Sequence, residues 1–148
     1  MFDVAHRRWS DEMLKKLEIP SEWLPKVTES VEVCGTTTPN LSGETGLPQG
    51  IPVVGGGADN ACGAVGSGVV RRGRVSASIG TSGVVLAHAE TMQVDPQMRA
   101  HTFCHSVPGA WYVMGVILMA GGALRWYKDT FADSEREIAR SKGMDVYE

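Results

Sequence analysis

The sequence predicts an α/β fold, on three observations. A short apolar run, Ile51-Pro52-Val53-Val54, leads into Gly55-Gly56-Gly57 and then a helix of small residues. Beyond residue 70, two stretches alternate apolar and polar residues on either side of a turn, the pattern of β-hairpins. Elsewhere Ser, Thr and Gly stand where helices start and stop.

Taken in order, Ser10 caps a helix whose first turn carries Asp11 and Glu12, favourable against the helix dipole. That helix runs through Leu14 and Leu17 and stops before Pro20, and a short turn from Ser21 to Leu24 ends at Pro25. Val31 to Cys34 alternates like a strand. Thr38-Pro39 opens a short helix that Gly46 closes. Ile51 to Val54 reads as a buried strand, followed by the glycine turn and a helix beginning at or beside Asp59-Asn60 and reaching Gly66. Small side chains let such a helix approach a neighbouring backbone closely. Arg74 to Ile79 and Val84 to His88 form one hairpin around Gly80-Thr81-Ser82-Gly83. His101 to Val107 and Trp111 to Ile117 form a second pair around Pro108-Gly109. Ala120 to Phe131 is an amphipathic helix with Leu124, Tyr127 and Phe131 on one side. Ser134 and Glu137 suit a capping box opening a last helix, which stops at Gly143.

The chain has 148 residues, 43% of them hydrophobic, which is enough for a packed core. A net charge of −3 argues against nucleic acid or an anionic membrane as the main partner. The apolar run from Val113 to Leu124 is interrupted by Gly115 and Gly121-Gly122 and falls short of the about 20 residues a membrane span needs. No signal peptide is visible after Met1. Cys34, Cys62 and Cys104 are odd in number, far apart and in no C-x-x-C pair, so reduced thiols in a cytoplasmic protein are expected. Two composition regimes meet near residue 70, an α/β unit before it and antiparallel strands after it. Neither makes a finished layer architecture, so two incomplete domains are expected, over residues 1–70 and 71–148.

Two features can carry chemistry. Gly80-Thr81-Ser82-Gly83 can aim backbone N–H groups and two hydroxyls at one anion, or can simply be a tight turn needing positive φ. Asp59 follows a strand and three glycines, where side chains project from the carboxyl edge of a sheet, yet an aspartate there can equally be a helix N-cap. Other nucleotide and nucleophile motifs fail. There is no Walker loop; a dinucleotide fingerprint at Gly55-x-Gly57 would need glycine at Asn60; a nucleophile elbow around Ser82 would need glycine at Val84. His101, Cys104 and His105 are not read as a metal site, because strand alternation sends Cys104 to the opposite face. Trp111, Trp126 and Tyr127 read as packing aromatics.

Several stretches resemble a known family, the FGGY carbohydrate kinases, and within it the xylulokinase branch. They are W-S-D-E-M-L (9–14), G-L-P-Q-G-I-P-V-V-G-G-G-A-D-N-A-C-G-A-V-G (46–66), S-I-G-T-S-G-V-V (78–85) and H-T-F-C-H-S-V-P-G-A-W-Y-V-M-G-V (101–116), with A-G-G-A-L-R-W-Y-K-D (120–129) and G-M-D-V-Y-E (143–148). The resemblance implies an actin-like (ribonuclease H-like) kinase fold of two domains around a cleft, with residues 1–70 ending the first domain and residues 71–148 beginning the second. It implies transfer of the γ-phosphoryl group of ATP to D-xylulose, giving D-xylulose 5-phosphate. By the same resemblance Asp59 matches the family's catalytic base and would contact the sugar and Mg²⁺, and Asn60 would lie beside the sugar. Gly80, Thr81, Ser82 and Gly83 match the phosphate-binding turn for ATP.

The family's N-terminal glycine-threonine loop, its M-H-G-Q stretch and its adenosine site have no counterpart here. The resemblance therefore implies an internal fragment, inactive alone, with the missing parts of the same kinase as its partners and a homodimer considered for the full-length protein. Such a fragment is expected to expose apolar patches. Two other readings stay open: another sugar or polyol such as ribulose, fuculose or glycerol, and a non-catalytic sugar- or nucleotide-binding module.

Overall fold

The computed structural model describes residues 1–147. The strands are β1 (Phe2–Asp3), β2 (Arg8–Trp9), β3 (Val33–Thr36), β4 (Pro52–Val54), β5 (Val75–Ile79), β6 (Gly83–Ala89), β7 (His101–Cys104) and β8 (Trp111–Ile117). The helices are α1 (Asp11–Lys16), α2 (Pro39–Thr45), α3 (Asp59–Gly66), α4 (Gly121–Phe131) and α5 (Asp133–Lys142), with a 3₁₀ turn at Ser21–Trp23. β1–β2 and β3–β4 are two-stranded sheets, and the remaining strands form a four-stranded sheet in the order β5-β6-β8-β7. The chain divides into two compact units: residues 1–76 with 86–114, and residues 77–85 with 115–148.

In the first unit, local chemistry sets each turn. Asp3 Oδ1 accepts the N–H groups of Ala5 and His6, both at 3.1 Å, which closes the loop between β1 and β2. Ser10 caps α1 by accepting the Met13 N–H. Thr38 caps α2 in the same way, Pro39 occupies its first turn, and Gly46 ends it at φ +76°. The excursion through α2 is tied off by Thr37, which is buried. Its hydroxyl donates to Pro48 O at 2.8 Å and accepts the Ile51 N–H at 2.9 Å. That bond returns the chain to β4 beside β3.

The antiparallel β3–β4 pairing runs Val33↔Val54, Gly35↔Val53 and Thr36↔Pro52, with a register shift between Val33 and Gly35. β3 thus begins two residues later than Val31, because its partner strand and not its own alternation sets its extent. β4 is exposed along its length, Val53 at 47% and Val54 at 52%, where a buried strand was expected. β7 and β8 pair antiparallel from His101↔Met114 to Cys104↔Trp111. The buried apolar side chains of the first unit are Ala61, Ala64, Ala89 and Ala110, with Leu14, Val69, Leu86, Tyr112 and Met114.

In the second unit α4 begins at Gly121 and α5 at Asp133. The expected Ser134–Glu137 capping box does not form. Ser134 lies inside the first turn of α5, where its hydroxyl bonds the Glu135 carboxylate, and Gly143 ends the helix at φ +66°. Large apolar side chains are widely exposed here, Ile79 at 81% and Leu118 at 80% among them. None of the described helices is long and apolar enough to cross a membrane.

Candidate functional site

The glycine corner ahead of α3 is dictated residue by residue. A Cβ at Gly55 would lie 2.7 Å from Thr28 Oγ1 and 2.8 Å from Glu29 O; one at Gly57 would collide with Ser106 Oγ and lie 3.3 Å from Ser30 Oγ. Gly56 has open space around it but sits at φ +72°, which an L side chain rarely adopts. Two glycines therefore serve close approach and one serves the bend. The chain then enters α3 with Ala58 as N-cap and Asp59 as the first helical residue.

That placement removes the N-cap reading of Asp59. The cap position belongs to Ala58, which has no side chain to cap with. Asp59 is exposed, and among the described hydrogen bonds its carboxylate accepts one, from the adjacent Asn60 N–H to Oδ1 at 2.7 Å. A carboxylate in a first helical turn is held favourably by the helix dipole while its oxygens stay accessible. Asn60 beside it is half-buried. Asp59 also acts on its surroundings: burial, with lesser help from the Asp59 and Cys104 charges, pushes the Tyr112 phenol above its ordinary range.

Beside the corner lies a cleft of about 220 Å³ whose walls include Arg7, Thr28, Glu29, Gly57, His105 and Ser106. Arg7 Nη1 donates to both oxygens of Glu29, at 2.8 and 3.0 Å, and its guanidinium lies 4.6 Å from the centre of the Trp111 ring. Burial pushes the His105 imidazole below its usual range and the Cys104 thiol above its own.

Gly80, Thr81, Ser82 and Gly83 fall in the second unit. Thr81 and Ser82 are exposed at the tip of the turn, and Gly83 is buried. The Gly80 N–H is committed to Ser82 O at 2.8 Å. The carbonyls of Gly80 and Thr81 accept from the N-terminus of α4: Gly121 N–H to Gly80 O at 3.0 Å, and Ala120 and Gly122 N–H to Thr81 O at 2.8 and 3.1 Å. A pocket of about 330 Å³ opens there, lined by Gly80, Thr81, Gly121, Gly122, Arg125 and others. Sequence reasoning had not given Gly121, Gly122 or Arg125 a role at the turn. The adjacent glycines at a helix start were the available signal, since helix interiors disfavour glycine.

The chain matches known proteins along most of its length. Residues 1–66 match the N-terminal domain of the FGGY family of carbohydrate kinases. The xylulose kinase of Bacillus subtilis (strain 168) is 38% identical over 135 residues, which are 91% of this chain and 27% of that protein. The autoinducer-2 kinase of Enterobacter sp. (strain 638) is 32% identical over 147 residues, 99% of this chain and 28% of that protein. The crystal structure of a xyloylose kinase from Brucella ovis superposes with a TM-score of 0.82 at 38% identity, covering 90% of this chain and 28% of that one. The chain thus spans less than a third of the length of these relatives.

Proposed function

We propose that this chain, which belongs to the FGGY family of carbohydrate kinases and has their actin-like, ribonuclease H-like α/β fold, supplies the general base and one phosphate-binding turn of an ATP-dependent sugar kinase. The proposed substrate is D-xylulose and the product D-xylulose 5-phosphate. The observation that carries this reading is the exposed, nearly uncommitted carboxylate of Asp59 in the first turn of α3, behind a corner that only glycines can build.

Phosphoryl transfer asks a protein for alignment and charge stabilisation rather than covalent chemistry. In the proposed step the terminal hydroxyl oxygen of the sugar bonds to the γ-phosphorus of ATP. The bond from that phosphorus to the β-bridging oxygen breaks, ADP leaves, and the hydroxyl proton passes to Asp59. General-base help of this kind is worth about 10²- to 10⁴-fold. Asn60 is assigned to the sugar beside it. In the turn, Thr81 and Ser82, with their N–H groups and hydroxyls, are the donors assigned to the ATP phosphates, since the Gly80 N–H is already used within the turn. Residues 1–70 and 71–148 are assigned to the end of one domain and the start of the next.

Mg²⁺ is tested against the donors present. Among the described residues no group of three or more His, Cys, Asp or Glu could hold a metal, and Asp59 offers one hard carboxylate. That fits Mg²⁺, which binds through one or two carboxylates together with nucleotide phosphates. When bound it neutralises phosphate charge. A cytoplasmic setting, where the free thiols Cys34, Cys62 and Cys104 stay reduced, completes the proposal.

The test is ADP release by the product of the complete reading frame that encodes this chain, with D-xylulose, ribulose, fuculose and glycerol as acceptors. Asp59→Asn should lower kcat by about 10²- to 10⁴-fold; undiminished turnover sinks the base assignment. Similarity to an autoinducer-2 kinase favours a second reading, in which the same machinery phosphorylates a different acceptor. Preference for another substrate in the panel would select it.

A further inference from the structure

We infer that His105 is a positioning residue for Asp59, a neutral imidazole that ties the exit of α3 to the loop between β7 and β8. The inference deepens the kinase reading above and rests on it. His105 is 2% exposed. The Val107 N–H donates to its Nδ1 at 3.0 Å, so Nδ1 must present a lone pair. The ring proton is then on Nε2, which lies 3.0 Å from Val69 O and donates to it.

Val69 is where the chain leaves α3. Its N–H donates to Ala64 O at 2.8 Å, and its side chain is buried. The next residue along the loop, Ser106, meets the other end, where its hydroxyl fills the space that a Cβ on Gly57 would need. Two adjacent residues therefore fix the entry and the exit of an eight-residue helix that carries Asp59 in its first turn. A helix of that length spans about 12 Å and moves as one body, so a shift at its exit is carried to the carboxylate.

The lock works only in the neutral state, because a proton on Nδ1 would face the Val107 N–H. Burial opposes that proton, and so does the neighbouring His88. The His88 ring is 5.3 Å away and Tyr112 meets the imidazole edge-on at 5.7 Å. Cys104 precedes it, and the cleft that it lines holds Arg7, which also opposes the proton, and Glu29 and Glu32, which favour it, Glu29 being paired with Arg7. His88 Nδ1 is itself buried without a partner among the described residues.

The test compares His105→Gln, whose amide N–H can replace the Nε2 donor, with His105→Asn, whose oxygen can replace only the Nδ1 acceptor. Hydrogen exchange of α3 amides, with α1 amides as control, and kcat and KM of the complete reading frame are the readouts. Asn should speed exchange in α3 but not α1. It should lower kcat by up to about 100-fold with little change in KM, as small misplacements of a catalytic group do. Gln should restore both. Equal effects of the two variants, or equal loss of protection in α1 and α3, overturn the proposal. So do ¹⁵N shifts of the unsubstituted protein that show a charged or Nδ1-protonated His105 in the upper part of the range from about pH 5 to 8, a measurement that stands even where a variant does not fold. Should Asp59→Asn keep full turnover while the exchange results hold, the base assignment fails and the clamp on α3 survives.

Discussion

The N–H of Gly121 donates to the carbonyl of Gly80 at 3.0 Å, and a Cβ at position 121 would lie 2.5 Å from that same oxygen. The start of α4 and the turn at residues 80–83 are therefore one interlocked piece. The helix spends its first N–H groups on turn carbonyls, which satisfies donors that would otherwise be orphaned. Gly121→Ala forces the two apart, and overpacking of this kind costs about 1–3 kcal/mol. The expected result is a lower urea midpoint, together with a raised KM for ATP in the complete reading frame. An unchanged midpoint would show that the turn yields freely.

The glycine corner gives an ordered pair of outcomes. Gly56→Ala meets no atom but must hold φ +72°, a cost of about 1–2 kcal/mol. Gly55→Ala meets the Glu29 backbone oxygen at 2.8 Å, and backbone does not step aside as a side chain does. Chemical denaturation should rank Gly55→Ala as the more damaging. The reverse order would place the strain in the bend and not in the contact.

Acid should weaken the first unit through His105. An unfolded imidazole titrates near its ordinary value of about 6.5, whereas burial holds this one lower when folded. Between those two values the unfolded chain takes up a proton that the folded chain refuses, so stability falls as pH falls. Above about 6.5 the contribution is complete. Denaturation midpoints measured between about pH 7 and 5 should fall more steeply for the unsubstituted protein than for His105→Gln. Parallel curves would remove His105 from the account.

Asp95 should act at much lower pH. Arg99 grips both of its oxygens, at 2.9 and 3.1 Å, and the Gln97 and Arg99 N–H groups donate to them as well. The Arg99 side chain first, then these amides, hold the carboxyl down to about 2, against an ordinary 3.8. The depressed value means that order in the 95–99 turn is complete above 3.8 and lost as pH falls toward about 2. Amide shifts of Gln97 and Arg99 followed through that range should report it, and Asp95→Asn should abolish the transition.

What could be read from the sequence was mostly local. Ser10, Thr38 and Gly46 mark helix ends by chemistry confined to a few residues, and each does so in the structure. β8 was legible to the residue because Trp111 to Ile117 is bounded by a turn on one side and helix-start glycines on the other. β3 was misplaced by two residues because its limits come from Val53 and Val54 on the partner strand. Burial of β4 was inferred from composition, yet apolar residues bury only where something covers them. Asp59 could be picked out by its position after the glycines, but not its freedom from capping, which depends on Ala58 taking the cap. Ser106 and His105, whose contacts reach Gly57 and Val69, could not be assigned from sequence. Those pairs lie tens of residues apart, His105 and Val69 by 36, and no periodicity records them.

The attachment of the first residues has a bearing on biosynthesis. Val4 O accepts the Trp111 indole N–H at 2.9 Å and the Cys104 thiol, while Arg7 reaches Ala110 O, partners 100 to 107 positions downstream. As the nascent chain leaves the ribosome at roughly 5–20 residues per second, the β1–β2 hairpin must wait on the order of 5–20 s for this anchor to be made.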